Sequence, residues 1–455
     1  MKPRLTRSLV LAAAVVVPFA QDAPGWYPYG ERYTQWQKDR PMLFAGLHSA
    51  VPEDRLADRI ARFKAAGLNT FIWAKPANAL HFFKAANDAG LPWACWGRGG
   101  EKAITKAMAI PGNAFIMTGD EPNSEHTEGL VKITKYTEWV RKTYPKTLAF
   151  ANLSIPSIDH DVYVKACKPD VFSFDHYPLQ RNGETQEHYL HSLAWGRQTA
   201  IRHRLPYWMY LQSYARKDKR PSYAYRTPDG ADIRFLVFTF LAHGGTGIQW
   251  FIYYGYEESM VRDSQVPRPG NTPAERHTYE TSYPTRSWFA VRDVAPEAKV
   301  LSRAIVNLRP TGKVGYVGNG LLWDIKPPAY PNYNPVIPFR NERFRGRGNL
   351  RSVEILEKEN LGALVGLLDD QGGQEYFMVV NLQHGKNMSK MDGLRTVRLV
   401  FNSSVLKIER LNRLTGRVEV LRTKGGRGKR TLDVRLEGGT GDLFKWSNGK
   451  PWTLR

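Results

Sequence analysis

Residues 43–73, LFAGLHSAVPEDRLADRIARFKAAGLNTFIW, contain the alternation that decides the fold. Two short apolar runs, Leu43–Leu47 and Asn69–Trp73, flank a segment that ends at Gly67. That segment has apolar residues at helical spacing, namely Leu56, Ile60 and Phe63. The order of strand, amphipathic helix, terminating glycine and strand predicts a βα unit with parallel strands.

The same alternation recurs along the next two hundred or so residues. The eight predicted strands are Leu43–Leu47, Asn69–Trp73, Trp93–Trp96, Ala114–Thr118, Leu148–Asn152, Val171–Asp175, Tyr207–Gln212 and Gly247–Ile252. Eight such units predict an α/β fold, a (β/α)8 TIM barrel, with Trp288–Leu308 as the closing helix. A doubly wound open sheet is the alternative, but the glycine-rich dinucleotide fingerprint follows none of these runs.

From about residue 311 onward the pattern changes. Short alternating segments follow one another without helices between them, which is typical of an antiparallel β-sandwich. Its predicted strands are Lys313–Val317, Ala363–Leu367, Glu375–Asn381, Thr396–Phe401, Val405–Arg410, Val418–Leu421 and Thr431–Leu436. We therefore predict a barrel domain over residues 21–310 and a C-terminal β-sandwich domain over residues 311–455.

The first twenty residues have the composition of an export signal. Basic residues precede an apolar run over residues 9–17, and Ala20 offers a cleavage end. The run is too short to span a bilayer. We expect residues 1–20 to be removed as a signal peptide, leaving a secreted or periplasmic protein without an integral membrane span. An uncleaved membrane anchor is the alternative.

Composition excludes several classes of protein. The chain has 455 residues, of which 42% are hydrophobic, and beyond its first twenty residues no apolar run reaches the length of a membrane span. A polytopic membrane protein and a disordered chain are therefore excluded. Cys95 and Cys167 are the only cysteines, so we expect no disulfide framework. No Cys or His cluster has the spacing of a metal site, and we predict neither a metal nor another cofactor.

The residues that follow the predicted strands are unusually polar and aromatic. Barrel enzymes carry their reactive groups at the carboxyl ends of the strands. Here those positions hold His48, Trp73, Lys75, Trp96, Arg98, Asp120, Glu121, Asn152, Asp175, Tyr177, Gln212, Trp250 and Tyr253. Aromatic faces stack on sugar rings, and amides and carboxylates bind hydroxyl groups. The set predicts a carbohydrate substrate, although any single Trp could instead cap the barrel core.

The net charge of +22 raises the question of an anionic partner. The charge is concentrated in residues 301–455, which carry 27 Lys and Arg against 14 Asp and Glu. No nucleic-acid-binding signature accompanies it, so we expect no nucleic-acid partner. An acidic or sulfated carbohydrate stays open, because Lys75 and Arg98 follow the second and third strands and further basic residues lie between Arg340 and Arg351.

The stretch Ile116-Met117-Thr118-Gly119-Asp120-Glu121-Pro122 is the sharpest motif. Over residues 40–308 the chain resembles the large barrel clan of retaining glycoside hydrolases that includes the β-galactosidase-like families. In that clan an Asn-Glu-Pro at the end of strand four carries the general acid/base. The resemblance implies that the protein is a glycoside hydrolase and that Glu121 donates a proton to the glycosidic oxygen. A helix-capping role for Asp-Glu-Pro is the structural alternative.

Two residues depart from the pattern of that clan. Asp120 stands where the clan has Asn, and Gln212 stands at the end of strand seven, where the clan has its nucleophilic Glu. A glutamine cannot act as a carboxylate nucleophile, so hydrolysis by two carboxyl groups requires another one. Asp175, at the end of strand six, is our first choice, with Glu257 and Glu258 in reserve.

Two other functions stay open. Families that use the acetamido group of the substrate carry an adjacent Asp-Glu at strand four, and Asp120-Glu121 is similar to that pair. In such a hexosaminidase-like enzyme, Tyr177 and Trp250 would hold the acetamide and the sugar ring. A non-catalytic carbohydrate-binding barrel is the other possibility, because Gln212 occupies the expected nucleophile position.

Overall fold

The computed structural model describes residues 26–48, 56–73, 76, 79–97, 100–122, 127–154, 159–186, 188–255, 258–263, 282–311, 314–318, 337–338, 349–426 and 428–455. The proposed signal peptide and the predicted site residues Lys75 and Arg98 lie outside these ranges, as does the reserve carboxylate Glu257. Within them, no helix is both long and apolar enough to cross a membrane.

Eight parallel strands form a closed barrel. They are β1 (Leu43–His48), β2 (Thr70–Trp73), β3 (Trp93–Trp96), β4 (Asn113–Asp120), β5 (Leu148–Ser154), β6 (Phe172–Asp175), β7 (Tyr207–Gln212) and β8 (Gly247–Tyr254). Each strand pairs with the next in sequence, and β1 closes the barrel on β8 with Leu43 opposite Gly247. The predicted barrel is confirmed, and every predicted strand lies within about two residues of its observed ends.

Helices alternate with the strands and cover the outside of the barrel. They are α1 (Glu31–Lys38), α2 (Leu56–Ala65), α3 (Leu80–Asp88), α4 (Gly100–Met108), α5 (Thr127–Thr143), α6 (His160–Cys167), α7 (Tyr189–His203), α8 (Gly230–Ala242) and α9 (Arg286–Ile305). The predicted closing helix is α9. The helix α1 was not predicted, and it covers the amino-terminal end of the barrel, where Trp36 packs on Trp208 and donates a hydrogen bond to the carbonyl of Ala114.

Side chains along each barrel strand alternate between the lumen and the helix layer, as the pleat requires. Along β7, Trp208 and Tyr210 pack with the lumen residues, whereas Met209 and Leu211 pack with the helices. The indole of Trp208 is 0% exposed and fills the lumen near its amino-terminal end. This end is therefore a packed core, and the polar side chains of the lumen collect at the opposite end.

Further strands follow β8 in the chain, two of them before α9 and the others after it. They are β9 (Val261–Asp263), β10 (Ser282–Pro284), β11 (Arg309–Pro310), β12 (Gly315–Val317), β13 (Ile337–Pro338), β14 (Leu350–Ile355), β15 (Ala363–Asp369), β16 (Glu375–Asn381), β17 (Arg395–Asn402), β18 (Lys407–Leu411), β19 (Val418–Arg422), β20 (Lys424–Gly425), β21 (Lys429–Leu436) and β22 (Gly441–Trp446). The strands β9 and β10 form a separate two-stranded ribbon after the barrel.

The other strands form two sheets that pack face to face. One has the order β13-β12-β15-β16-β22-β18-β19, with β11 beside β15, and the other has the order β14-β17-β21-β20. Apolar residues of both sheets, among them Phe377, Leu399 and Phe444, form one core between them. The predicted β-sandwich is confirmed, and its sheets contain five strands that the sequence pattern did not predict, β11, β13, β14, β20 and β22. The domain boundary at residues 310 and 311 stays a prediction.

The barrel and the β-sandwich share a close interface along α8. This helix is buried almost all round because one side packs on the barrel and the other on β15, β16 and β22. Gly366 in β15 permits this approach, since a Cβ atom there would lie 1.9 Å from the carbonyl oxygen of Ala242. The absence of a side chain at this position therefore sets the distance between helix and sheet.

A buried group of charged side chains connects the barrel to the β-sandwich. We call it the interface ion cluster, and it consists of Arg234 from α8, Glu297 from α9, and Arg413, Glu437 and Asp442 from the β-sandwich. Arg413, which is 7% exposed, donates from Nε to Glu297 at 2.7 Å and also pairs with Asp442 and Glu437. Arg234 pairs with Glu297 from the barrel side. Each buried charge thus faces an opposite one, which is the condition for tolerating it.

Candidate functional site

The pleat of the strands divides the predicted site residues into two groups. Facing the lumen at its carboxyl end are Trp96, Asp120, Asn152 and Asp175. In the layer between strands and helices are His48, Trp73, Trp250 and Tyr253.

The second group corrects the expected position of four residues. His48 is 2% exposed, and its ring centroid lies 3.7 Å from that of Phe71 and 4.6 Å from that of Tyr253. Trp250 is 1% exposed and packs in the same layer. The position of a residue along its strand decides how close it lies to the barrel mouth. Whether its side chain points into the lumen or toward the helices depends on the pleat and on register shifts, such as that between Gly46 and His48. These four side chains present no surface to the barrel mouth.

Two carboxyl groups meet at the mouth, one from β4 and one from β6. Glu121, the residue after β4, acts on Asp175, the last residue of β6, through its charge and through hydrogen bonding, and both effects raise the pKa of Asp175. Tyr177 donates a hydrogen bond to Asp175, with 2.9 Å between Oη and Oδ2. We call Glu121 and Asp175 the carboxyl pair.

The two members of the carboxyl pair differ in their surroundings. Asp175 is buried and Glu121 is exposed. Burial raises the pKa of Asp175 well above its ordinary value, and the charges of Glu121 and Asp120 raise it further, whereas the hydrogen bond from Tyr177 lowers it. The folded protein therefore favours the protonated form of Asp175 more than an ordinary aspartate is favoured in water.

Glu121 has a backbone conformation that favours glycine. Its φ is 44°, in the left-handed region, and its amide donates a hydrogen bond to the carbonyl of Asn152 at 2.9 Å. Such a conformation costs a residue with a Cβ atom roughly 1 to 2 kcal/mol. Strain of this kind persists where the surrounding structure holds it and is concentrated at functional sites. At this position it accompanies the contact between Glu121 and Asp175.

Tyr177, which donates a hydrogen bond to Asp175, packs with three other aromatic side chains. We call Tyr177, Tyr214, Tyr225 and Phe251 the aromatic wall. Tyr177 and Phe251 are stacked with ring centroids 5.2 Å apart, and Tyr214 meets their edges at 5.5 and 5.0 Å. Tyr225 lies 5.7 Å from Tyr214, and burial together with the charge of Asp175 raises its pKa to about 12. Flat rings beside carboxyl groups form a surface suited to a sugar ring.

Sequence reasoning identified only Tyr177 among the members of the aromatic wall. Phe251 could have been found from the alternation along β8, because it stands two residues after Gln249, whose side chain bonds to Ser173 inside the lumen. Tyr214 and Tyr225 lie in the segment between β7 and α8, where no periodic pattern marks them.

The side chain of Gln212 is bound entirely to backbone. It is 0% exposed, and its Oε1 accepts a hydrogen bond from the amide of Leu179 at 2.9 Å. Its Nε2 donates to the carbonyls of Leu179, Tyr214 and Arg226 at 3.2, 3.3 and 3.0 Å. Both polar atoms of the amide are thus occupied, and Gln212 has no free group to offer a substrate.

The remaining lumen residues are joined in short hydrogen-bonded chains. Asn152 accepts from the hydroxyl of Ser173 at 3.0 Å, and Gln249 donates to that hydroxyl at 3.1 Å. Trp96 donates to Tyr210 at 3.5 Å. Glu258, the reserve carboxylate that the structure describes, accepts from the hydroxyl of Thr227. Among the described residues, no group of three or more His, Cys, Asp or Glu side chains is arranged to hold a metal ion.

Replacing Tyr177 by Phe tests the electrostatics of the carboxyl pair. The change removes a hydrogen bond that favours ionised Asp175, so we expect the pKa of Asp175 to rise further. The carboxyl carbon resonance of Asp175, assigned by its loss in Asp175→Asn, gives this pKa by NMR titration. Tyr225→Phe is the matched control because Tyr225 makes no hydrogen bond to Asp175. An unchanged or lowered pKa in Tyr177→Phe would contradict the assignment.

The same substitution has a consequence for stability. Since the pKa of Asp175 is higher in the folded chain than in the unfolded one, the fold favours the protonated form. Stability is therefore lost as pH rises from the unfolded pKa through the folded pKa, and in Tyr177→Phe, where the folded pKa is higher, this loss should extend to higher pH. Thermal melts across the pH range measure it.

Comparison with known proteins finds likeness in structure alone. No family and no curated protein matches the chain. A solved structure described as a glycoside hydrolase superposes with a TM-score of 0.51 at 10% identity, covering 91% of this chain and 95% of that one. An α-L-arabinofuranosidase from Thermotoga maritima reaches 0.43 at 8% identity, covering 89% and 96%. A β-glucuronidase from an uncultured Clostridium reaches 0.39 at 13%, covering 56% and 50%.

These comparisons place the chain in a structural class. It has a (β/α)8 barrel followed by a β-sandwich, and it shares this fold with the glycoside hydrolase that it matches over nearly its whole length. The other two superpositions are too loose to support an inference. At 10% identity the likeness concerns the fold, and the activity has to be argued from the site.

Proposed function

We propose that this protein is an exported glycoside hydrolase that cleaves O-glycosidic bonds of a polysaccharide or oligosaccharide. The observation that carries the proposal is the carboxyl pair, placed at the carboxyl ends of β4 and β6 and flanked by the aromatic wall. Two carboxyl groups are the minimal machinery for glycoside hydrolysis. The composition of residues 1–20 supports export.

The raised pKa of Asp175 suggests how the two carboxyl groups divide the catalytic roles. As a sugar ring enters between them, a proton passes from Asp175 to Glu121, which leaves Asp175 ionised. Glu121 then protonates the glycosidic oxygen while Asp175 attacks the anomeric carbon, so that the bond to the leaving group breaks as the bond to Asp175 forms. Glu121, now a carboxylate, removes a proton from the water that hydrolyses the glycosyl ester and so regains its proton.

The contact between the two carboxyl groups favours retention of anomeric configuration. Retaining enzymes hold their carboxyl groups about 5 Å apart, whereas inverting enzymes leave about 6.5 to 9.5 Å for a water molecule. The interaction of Glu121 with Asp175 through both charge and hydrogen bonding suits the shorter separation. NMR of the anomer formed first should show the configuration of the substrate. An inverted first product would contradict Asp175 as the nucleophile.

The substrate is to be found by assay of the purified protein on a panel of neutral, acidic, sulfated and N-acetylated glycans. Acidic and sulfated members belong in the panel because Lys75 and Arg98 follow β2 and β3. Turnover by the wild-type protein and its loss in Asp175→Asn are the expected results. Tight sugar binding without turnover on any member would instead favour a non-catalytic carbohydrate-binding barrel.

A substrate-assisted mechanism is the second candidate, and the position of Asp120 favours it. The charge of Asp120 acts on both Asp175 and Tyr210, so its carboxylate faces the mouth beside the carboxyl pair. In that mechanism Asp120 would orient an acetamido group of the substrate. Turnover confined to N-acetylated members of the panel, and lost in Asp120→Asn, would establish it.

A further inference from the structure

We infer that Gln212 is a positioning residue that holds the aromatic wall against Asp175, and that strand six rather than strand seven supplies the second carboxyl group. This inference rests on the proposed function for its catalytic meaning. Its structural content, that one buried amide fixes the surroundings of Asp175, can be tested without turnover.

The bonds of Gln212 join three separate segments of chain. Leu179 belongs to the loop after β6 and lies two residues beyond Tyr177. Tyr214 lies two residues after Gln212 itself. Arg226 immediately follows Tyr225. Each segment that Gln212 holds therefore carries one tyrosine of the aromatic wall.

A backbone hydrogen bond also joins two of these three segments, and we call the place where the segments meet the junction. The amide of Arg226 donates to the carbonyl of Leu179 at 3.1 Å, so that carbonyl accepts from both Arg226 and Gln212. The side chain of Arg226 forms a buried ion pair with Asp232 in α8, which holds this segment to the barrel. The Arg226–Asp232 ion pair therefore fixes the junction to α8, and the amide of Gln212 holds its three segments together.

Only an amide satisfies this junction. Gln212 offers one acceptor to an N–H group and an NH2 group to three carbonyls, and glutamine is the side chain of this length with both. A glutamate would turn a second oxygen toward those carbonyls and bury its charge at a position that is 0% exposed. The structure thus explains why glutamine stands at the end of β7, and it leaves Asp175 as the carboxyl group that faces Glu121.

The decisive variants are Gln212→Glu and Gln212→Met. If strand seven were the natural place of the nucleophile, Gln212→Glu would gain or increase turnover. We expect it instead to lose turnover at least tenfold and to melt at lower temperature. Gln212→Met keeps the volume of the side chain and removes all its hydrogen bonds, so it tests the same role should Gln212→Glu fail to fold.

The chain offers a matched control for loss of stability. Asn381 in β16 is also 0% exposed, donates to the carbonyls of Gly393, Leu436 and Glu437, and accepts from the amide of Gln383. Asn381→Leu therefore removes a similar set of bonds within the β-sandwich. Both variants should melt several degrees below the wild type.

The readout that separates positioning from mere stability is the ionisation of Asp175. In Gln212→Met we expect its pKa, measured by carboxyl NMR, to rise toward the value in Tyr177→Phe, and the double variant to show no further rise. Asn381→Leu should leave this pKa unchanged. An unchanged Asp175 titration in Gln212→Met, or a gain of turnover in Gln212→Glu, would overturn the inference. Absence of turnover in the wild type would refute the proposed function and leave the titration test intact.

Discussion

Glu121→Gln is expected to abolish hydrolysis while leaving the thermal melt almost unchanged. An amide cannot give a proton to the glycosidic oxygen, and removal of a general acid lowers kcat by about 10² to 10⁴-fold. The substitution preserves side-chain volume, and because Glu121 is exposed it does not disturb the packing of the core. The left-handed φ of 44° is equally unfavourable for Glu and Gln, so it does not distinguish the two proteins. The assay is kcat on the substrate that the glycan panel identifies.

A second substitution at the same position separates function from folding. Glu121→Gly relieves the left-handed strain, so we expect the same loss of hydrolysis with stability unchanged or raised by up to about 1 kcal/mol. Full activity in Glu121→Gln would exclude Glu121 as the proton donor. A large fall in melting temperature in both variants would show that Glu121 has a folding role that the structure does not assign to it.

We expect Arg413→Met to lower the free energy of unfolding more than the other proposed substitutions do. The change removes the cation that pairs with Glu297, Glu437 and Asp442 in the interface ion cluster. Removing one partner of a buried ion pair costs about 3 to 5 kcal/mol, and without Arg413 two arginines, Arg234 and Arg410, remain to pair with the three carboxylates. We expect a fall of several degrees in the thermal melt and reduced protection of α8 and α9 in hydrogen exchange.

The control for this prediction is an arginine on the outer surface of the β-sandwich. Arg398 forms a bidentate pair with Asp433, but the two side chains are 37% and 43% exposed. Solvent screens such a pair, so Arg398→Met should leave the melt nearly unchanged. Equal effects of the two substitutions would contradict the importance that we assign to burial of the interface ion cluster.

Sequence reasoning located the strands well but not the faces of their side chains. The barrel strands are buried on both sides, and they read as apolar runs without the alternation that separates lumen from helix layer. Trp250 and Phe251 are neighbours at the end of β8, and only Phe251 faces Tyr177. A register shift between Met117 and Gly119 likewise precedes the turn that presents Glu121. Such shifts depend on pairing with neighbouring strands, which no local pattern encodes.

The sequence predicted both members of the carboxyl pair but not how they interact. Glu121 was found from a motif and Asp175 from its place after an apolar run, because both follow strands whose ends a barrel brings to one face. Their interaction was not predictable, since it depends on the left-handed turn at Glu121. The aromatic wall was even less accessible, because loops contribute Tyr214 and Tyr225 to it.

The amino-acid sequence by itself determined the (β/α)8 barrel and the β-sandwich. Local hydrophobic periodicity and turn residues carry that information within windows of about ten to twenty residues. Tertiary structure alone decided which strand-end residues face the mouth, that Glu121 acts on the pKa of Asp175, and that Gln212 binds backbone from three segments. These features depend on strand register, on burial and on contacts between residues distant in the chain, so they exist only once the barrel has closed.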